Sequence, residues 1–151
     1  MRPAAAFLFF LLFLAGIALV NLRSIQPDPE SPVLEPSQLI GPIWRSTHLG
    51  EMRMDDDTAA FIQFGGDGEI SGNAGCNRFF GNWGLSAGIL ELGQLGVTRM
   101  ACPEPANSLE IAFLEQIGTV RSAARAGNKL VLRDQAGQPV MRFAFDTQPP
   151  D

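Results

Sequence analysis

A small, mainly β domain with one α-helix, closed as an antiparallel barrel or strongly curled sheet, is the fold class this sequence predicts. Three observations lead there. Beyond Pro42 the chain alternates short apolar runs with glycine-rich turns, the texture of a β domain. Only one stretch, near residues 107–118, carries its apolar side chains at helical spacing. And 151 residues, less an apolar start, leave room for one domain of about 100 residues with a modest core, in which strands that close on themselves avoid exposed edges.

The elements follow in chain order. After Met1, Arg2 and Pro3, residues 4–20 hold no charged or strongly polar side chain. As a helix this run would span about 25 Å, close to the ~30 Å hydrocarbon core of a bilayer. It is apolar all round, which a helix packed on a soluble core is not. The expectation for residues 1–23 is therefore an N-terminal hydrophobic helix, either a signal peptide, with Gly16 and Ala18 as small residues before a cut, or a membrane anchor. No cysteine stands directly after the run, so lipoprotein acylation is not expected. Residues 24–42 read as a proline-rich linker: Pro27, Pro29, Pro32, Pro36 and Pro42 hold an extended chain that acts as a semi-rigid spacer. The domain is expected over 43–146 and a short tail over 147–151.

Within the domain, strands at 61–64 and 69–71 flank Gly65-Gly66-Asp67-Gly68, a turn suited to a tight hairpin. Further strands are expected at 78–83, 89–92, 97–100, 120–125, 129–133 and 140–145. In the last, Met141, Phe143 and Phe145 share one face and Arg142 takes the other. The helix is expected to start at Asn107, with Glu110 completing a capping box. Leu109, Phe113 and Ile117 form its apolar stripe and Gly118 ends it.

Composition removes several function classes. The formal net charge is -5, and no stripe of Lys and Arg along the sequence supplies the counterion release on which nucleic-acid binding rests. The same balance argues against a polybasic membrane-surface patch. The glycines of residues 65–68 lack the following helix N-terminus that a phosphate loop needs. Asp55-Asp56-Asp57 lacks the alternation and closing Glu of a calcium loop and reads as a solvated turn. With one histidine, His48, no transition-metal site is expected. Glu104 and Glu110 show no paired-carboxylate logic, and there is no Gly-x-Ser-x-Gly elbow. No catalytic residue, cofactor or metal is assigned.

The two cysteines, Cys76 and Cys102, lie beyond the export segment, and a pair exported together usually bonds. Closing a loop of about 25 residues would stabilise the fold by roughly 3 kcal/mol. A redox or catalytic thiol is the weaker reading, because there is no Cys-x-x-Cys. Around them stand Gly72-Asn73-Ala74-Gly75-Cys76-Asn77 with Gly81, then Thr98-Arg99-Met100-Ala101-Cys102-Pro103 before the Glu110-bearing helix. In their order and gap these resemble the two motifs of the META domain, the family of the HslJ heat-shock-type proteins, with Trp44 in the place of the family's leading Trp. The resemblance runs from Trp44 to Phe145. It implies a small barrel-like fold with one helix, carried mainly by bacterial envelope proteins and linked to stress or drug tolerance, without established catalytic residues. Physically, Gly72, Gly75 and Gly81 permit turns and close strand approach, and Asn77 can bond nearby backbone; exposed in a groove, Asn77 or Arg99 would instead bind a ligand.

The expectation for function is a non-enzymatic, monomeric domain on the periplasmic side of the envelope, anchored in the inner membrane or released, that binds a protein or small ligand. A lipocalin-like carrier, a barrel enzyme using its interior, and an inhibitor docking through an edge or loop remain open.

Overall fold

The structure, a computed structural model, describes residues 33–55 and 60–145. The apolar run 4–20, Asp56, Asp57 and the tail lie outside the described residues. Among the described residues no helix is long and apolar enough to cross a membrane.

The strands are β1 (Trp44–Leu49), β2 (Met52–Arg53), β3 (Phe61–Phe64), β4 (Glu69–Asn73), β5 (Arg78–Ser86), β6 (Ile89–Leu92), β7 (Gly96–Val97), β8 (Ser122–Ala126), β9 (Lys129–Arg133) and β10 (Pro139–Ala144). The helix α1 (Ala106–Thr119) separates β7 from β8. Neighbours pair antiparallel in the order β1-β3-β4-β5-β6-β8-β9-β10, and β10 returns to β1, so the sheet is a closed barrel. Two short strands sit outside that circuit, β2 on β1 and β7 on β5. The slenderest seam is β6 to β8, made by the Ile89–Ser122 pair and a 2.8 Å bond from Leu90 N to Arg121 O.

Alternation along the strands fills the interior. Ile62 and Phe64, Leu130 and Leu132, and Met141 and Phe143 point inward and are buried. Helix α1 adds Phe113 and Ile117, with Phe113 ring centroids 5.6 Å from Phe79 and 6.5 Å from Phe143. Burying each such side chain contributes about 2 kcal/mol. Trp44, also fully buried, meets Phe145 edge to face at 4.8 Å, and the Arg125 guanidinium lies over both rings. One inward group is badly served: Ser46 Oγ is buried without a hydrogen-bond partner. Ser46→Ala is therefore expected to raise stability by about 1 kcal/mol, read as a higher urea midpoint; a lower midpoint would mean that the hydroxyl has a structural use.

Four sequence expectations are corrected. First, packing reaches back into the stretch expected to be a linker over 24–42: Pro36–Gln38 form a 3-10 turn, Leu39 is fully buried, its carbonyl accepts the Trp44 indole N–H at 3.0 Å, and Ile40 bridges to Phe64. Second, β1 and β2 lie outside the strands expected from the sequence. A bulge between Ser46 and His48 breaks the alternation of Trp44-Arg45-Ser46-Thr47-His48-Leu49, so the run does not read as a strand. Third, residues 97–100 are mostly not strand. The ladder stops at Val97 because Met100 N donates to the Asn77 side chain instead. Fourth, α1 starts at Ala106 and no Asn107–Glu110 box forms. Glu104 takes the acceptor role upstream, receiving Ser108 N at 3.2 Å, Ser108 Oγ at 2.6 Å and Asn107 Nδ2 at 3.1 Å.

Those bonds to Ser108 and then Asn107 hold the Glu104 carboxyl below its ordinary value of 4.5. A depressed carboxyl stabilises the fold above its unfolded pKa and loses that contribution as pH falls through the folded one. The first turn of α1 is accordingly expected to fray as pH falls below 4.5 and through that lowered value in the wild-type protein, and at all pH values in Glu104→Gln, seen as faster amide exchange at Asn107 and Ser108. Equal exchange in the two proteins at neutral pH would sink this assignment.

Candidate functional site

The residues around the cysteines meet where the β4–β5 corner faces the segment leading into α1. The corner is shaped locally. Asn73 Oδ1 accepts Gly75 N at 2.7 Å, its Nδ2 donates to Cys76 O at 3.3 Å, and Ala74 N donates to Asn77 O at 2.9 Å. Gly75 sits at φ +124, and a Cβ there would lie 2.9 Å from the Leu109 side chain, so both the turn and the close helix require glycine.

Asn77 is the hub, only 3% exposed. Its Oδ1 accepts Met100 N at 2.7 Å and Thr98 Oγ1 at 2.9 Å. Its Nδ2 donates to Glu110 Oε1 at 3.1 Å and to Met100 O at 3.2 Å, and its backbone N donates to Glu110 Oε2 at 2.7 Å. Thr98 Oγ1 also accepts Arg78 N at 3.1 Å. Glu110 is thus held by a strand corner 33 residues away, which is why it does not cap its own helix. The Cys76–Cys102 disulfide, Cα atoms 6.2 Å apart, fastens the same two segments covalently.

Other residues singled out from the sequence fall around this knot or away from it. Arg99, Ala101 and Pro103 lie on its exposed side, and the Met100 side chain is 61% exposed although its backbone is engaged. Trp44 belongs to the core. Gly72 lies mid-strand in β4, where a Cβ would strike Phe61 O and the Phe79 ring. Gly81 gives room to Leu95.

Chemically the arrangement is a clamp. Each polar atom of the Asn77 side chain is engaged, so none is presented to a ligand. Cys76, Cys102 and Glu110 place ligand-type atoms within 4.8 Å of one another. The two sulfurs are bonded to each other, however, and neither is the thiolate that metal binding or nucleophilic attack needs.

The closed barrel and the corner clamped by Gly-Cys-Asn to the Cys-Pro segment before a Glu-bearing helix lie within residues 37–147, which match the META domain family model. The chain belongs to the META domain family. Two solved NMR structures are similar to this META domain. One is 27% identical with a TM-score of 0.61, covering 74% of this chain and 95% of its own. The other, a protein from Burkholderia xenovorans, is 25% identical with a TM-score of 0.60, covering 82% of this chain and 100% of its own. No curated protein matches. The META domain is not a known family of enzymes.

In this META domain the disulfide constrains the unfolded chain over a separation of 26 residues. The Cys76→Ser/Cys102→Ser double variant is expected to lose about 3 kcal/mol of unfolding free energy, measured by urea titration of the oxidised parent against the variant. A loss below about 1 kcal/mol would show that the Asn77 hydrogen bonds alone hold the corner closed.

Proposed function

We propose that this META domain is a non-catalytic module of the bacterial envelope, facing the periplasm and tethered or delivered by residues 1–23, which binds a protein or small ligand through its outer surface. The observation that carries this reading is the fate of the motif residues. The polar groups of Asn77 and the carboxylate of Glu110 are turned on one another, and the sulfurs of Cys76 and Cys102 are joined. What the motif builds is a rigid corner. The inward face of the barrel is taken up by Phe64, Phe79, Phe113 and Phe143, which speaks against a lipocalin-like interior and for recognition on the outside. A disulfide-closed corner suits an oxidising compartment, and the apolar run at 4–20 supplies a route there.

Two measurements test it. Alkaline phosphatase fused after residue 151 is expected to be active in cells, and a cytoplasmic β-galactosidase fusion at the same point inactive. The reverse pattern would end the envelope assignment. Turnover of any substrate by the purified chain that disappears in Asn77→Ala, in a protein still folded, would end the non-catalytic one.

A further inference from the structure

Register gathers charges that are scattered in the sequence. Across β2, β1, β10 and β9, Arg53 stands opposite His48, His48 opposite Arg142, and Arg142 opposite Val131. In the next row Lys129 and Arg45 both oppose Ala144. These residues alternate with the buried Leu49, Met141, Phe143 and Leu130, so they project from the outer face of the barrel. The four strands contain no Asp or Glu at all. Like charges directly opposed across strands destabilise a sheet. A chain of net charge -5 has carboxylates to intersperse, yet places none on these strands.

The surface there is concave. A cleft of ≈ 320 Å³ is lined by Thr47, His48, Arg53, Lys129 and Arg142, with Met54 at its side. Its cationic groups are largely uncommitted. Arg142 spends one Nη1 bond, at 3.3 Å, on Gly50 O, while Thr47 Oγ1 donates to Arg142 O at 3.1 Å. His48 Nδ1 lies 3.3 Å from Thr47 Oγ1, whose proton is already given away, so the imidazole is the donor in that contact. The Arg53 and Lys129 side chains have no hydrogen-bond or ion-pair partner among the described residues. Asp55 does not line this cleft; it lines the adjoining groove, which shares Arg53 and Met54 with the cleft and continues to Pro105 and Leu109.

We infer that this cleft is a binding site for a phosphomonoester group. Two guanidinium forks, an ammonium and an imidazole, reaching in from four strands, match a dianion with three terminal oxygens better than a planar carboxylate. The apolar wall at Met54 leaves space for a small organic substituent on the phosphate. The site needs no particular compartment and stands whether or not the envelope reading holds. Two sources present the same group: a soluble phosphomonoester and the headgroup of a phosphatidic-acid-type lipid.

The test uses the full chain in maltoside micelles, with amide shifts read by NMR. Phenyl phosphate is titrated in one arm and dioctanoyl phosphatidic acid in another, with benzyl alcohol and dioctanoylglycerol as uncharged controls. Saturable shifts at His48, Arg53, Val131 and Arg142 are expected with the phosphates and not with the controls. The Arg53→Gln/Arg142→Gln variant should bind about tenfold more weakly, or worse, with its remaining amide spectrum unchanged. Comparable affinity for the two probes assigns a soluble ligand, and a clear preference for the lipid assigns a headgroup; either supports the site. No saturation by either phosphate, equal binding by the variant, or equal shifts with the uncharged controls would overturn it. Should the double variant lose its spectrum, Lys129→Gln, exposed at the edge of the cleft, takes its place with the same two-way reading.

Discussion

Gly72→Ala is expected to lower the unfolding free energy by about 4 kcal/mol, a large share of what holds a domain of this size together. The reason is local and steric. A Cβ at this position would overlap the Phe61 carbonyl oxygen and lie 2.7 Å from the Phe79 ring. The first obstacle is backbone in the neighbouring strand β3, which cannot swing aside as a side-chain tip can. The second is a fully buried ring packed on Phe113. Relief requires β3 to part from β4 at the Ile62–Gly72 pair, or Phe79 to press into the helix, and overpacking of either kind is expensive. Gly84→Ala is the control: nothing stands within 4 Å of its Cβ and its φ is not positive, so a change within about 0.5 kcal/mol is expected. Urea titrations of the two variants decide it. A Gly72→Ala protein within about 1 kcal/mol of the parent would mean that the two strands are not held together as tightly as described.

The sequence marked Gly72 as a position of close strand approach, but not what approaches it, and the same division recurs through the molecule. Hairpin strands with clean alternation and flanking glycines were legible: β3, β6 and β9 fall where composition placed them, since local propensity and tertiary pairing agree there. β1 was illegible because its bulge puts Thr47 and His48 out of phase with Trp44 and Ser46. The N-terminus of α1 is not legible, because Asn107 and Glu110 have the spacing of a capping box while a corner far away in sequence claims the Glu110 carboxylate. Two charged-assisted bonds to Asn77 outweigh one local cap. The disulfide is readable from a cysteine pair beyond an export segment and the two motifs as a family pattern, but the pairing of Asn77 with Glu110 is not, because nothing in one sequence says which distant side chains meet. The cationic cleft was hidden more thoroughly. Net charge and linear runs both argue against a basic patch, and only the register of four strands drawn from the two ends of the domain brings Arg53, His48, Arg142 and Lys129 onto one surface.

Asn77→Ala is expected to cost about 3 kcal/mol and to do so cooperatively with Glu110. Truncation strips Met100 N of its acceptor at 2.7 Å and Glu110 Oε1 of its donor at 3.1 Å, and leaves the Thr98 hydroxyl, which still accepts Arg78 N at 3.1 Å, only the long 3.5 Å contact with Arg78 O to donate to. These groups sit in a partly buried corner, where water replaces a lost partner incompletely. If the knot acts as a unit, Glu110→Gln and Asn77→Ala will not add: once Asn77 is gone, Glu110 keeps only the backbone N–H at 2.7 Å, so the second change costs less than it does alone. A coupling of about 1–2 kcal/mol in that cycle is the expected result, and strict additivity would dissolve the clamp into independent contacts. Asn77→Asp separates charge from shape. It preserves volume but sets a carboxylate where Nδ2 now donates to Glu110 Oε1 across 3.1 Å, so the variant should be at least as unstable as Asn77→Ala at neutral pH. It should recover as pH falls through the carboxylate range and the pair comes to share a proton. The disulfide stays closed in every variant of this series and limits how far the corner can open. The same cycle repeated in the Cys76→Ser/Cys102→Ser background should therefore show each Asn77 substitution costing more, as the hydrogen bonds become the sole tie between the β4–β5 corner and the helix.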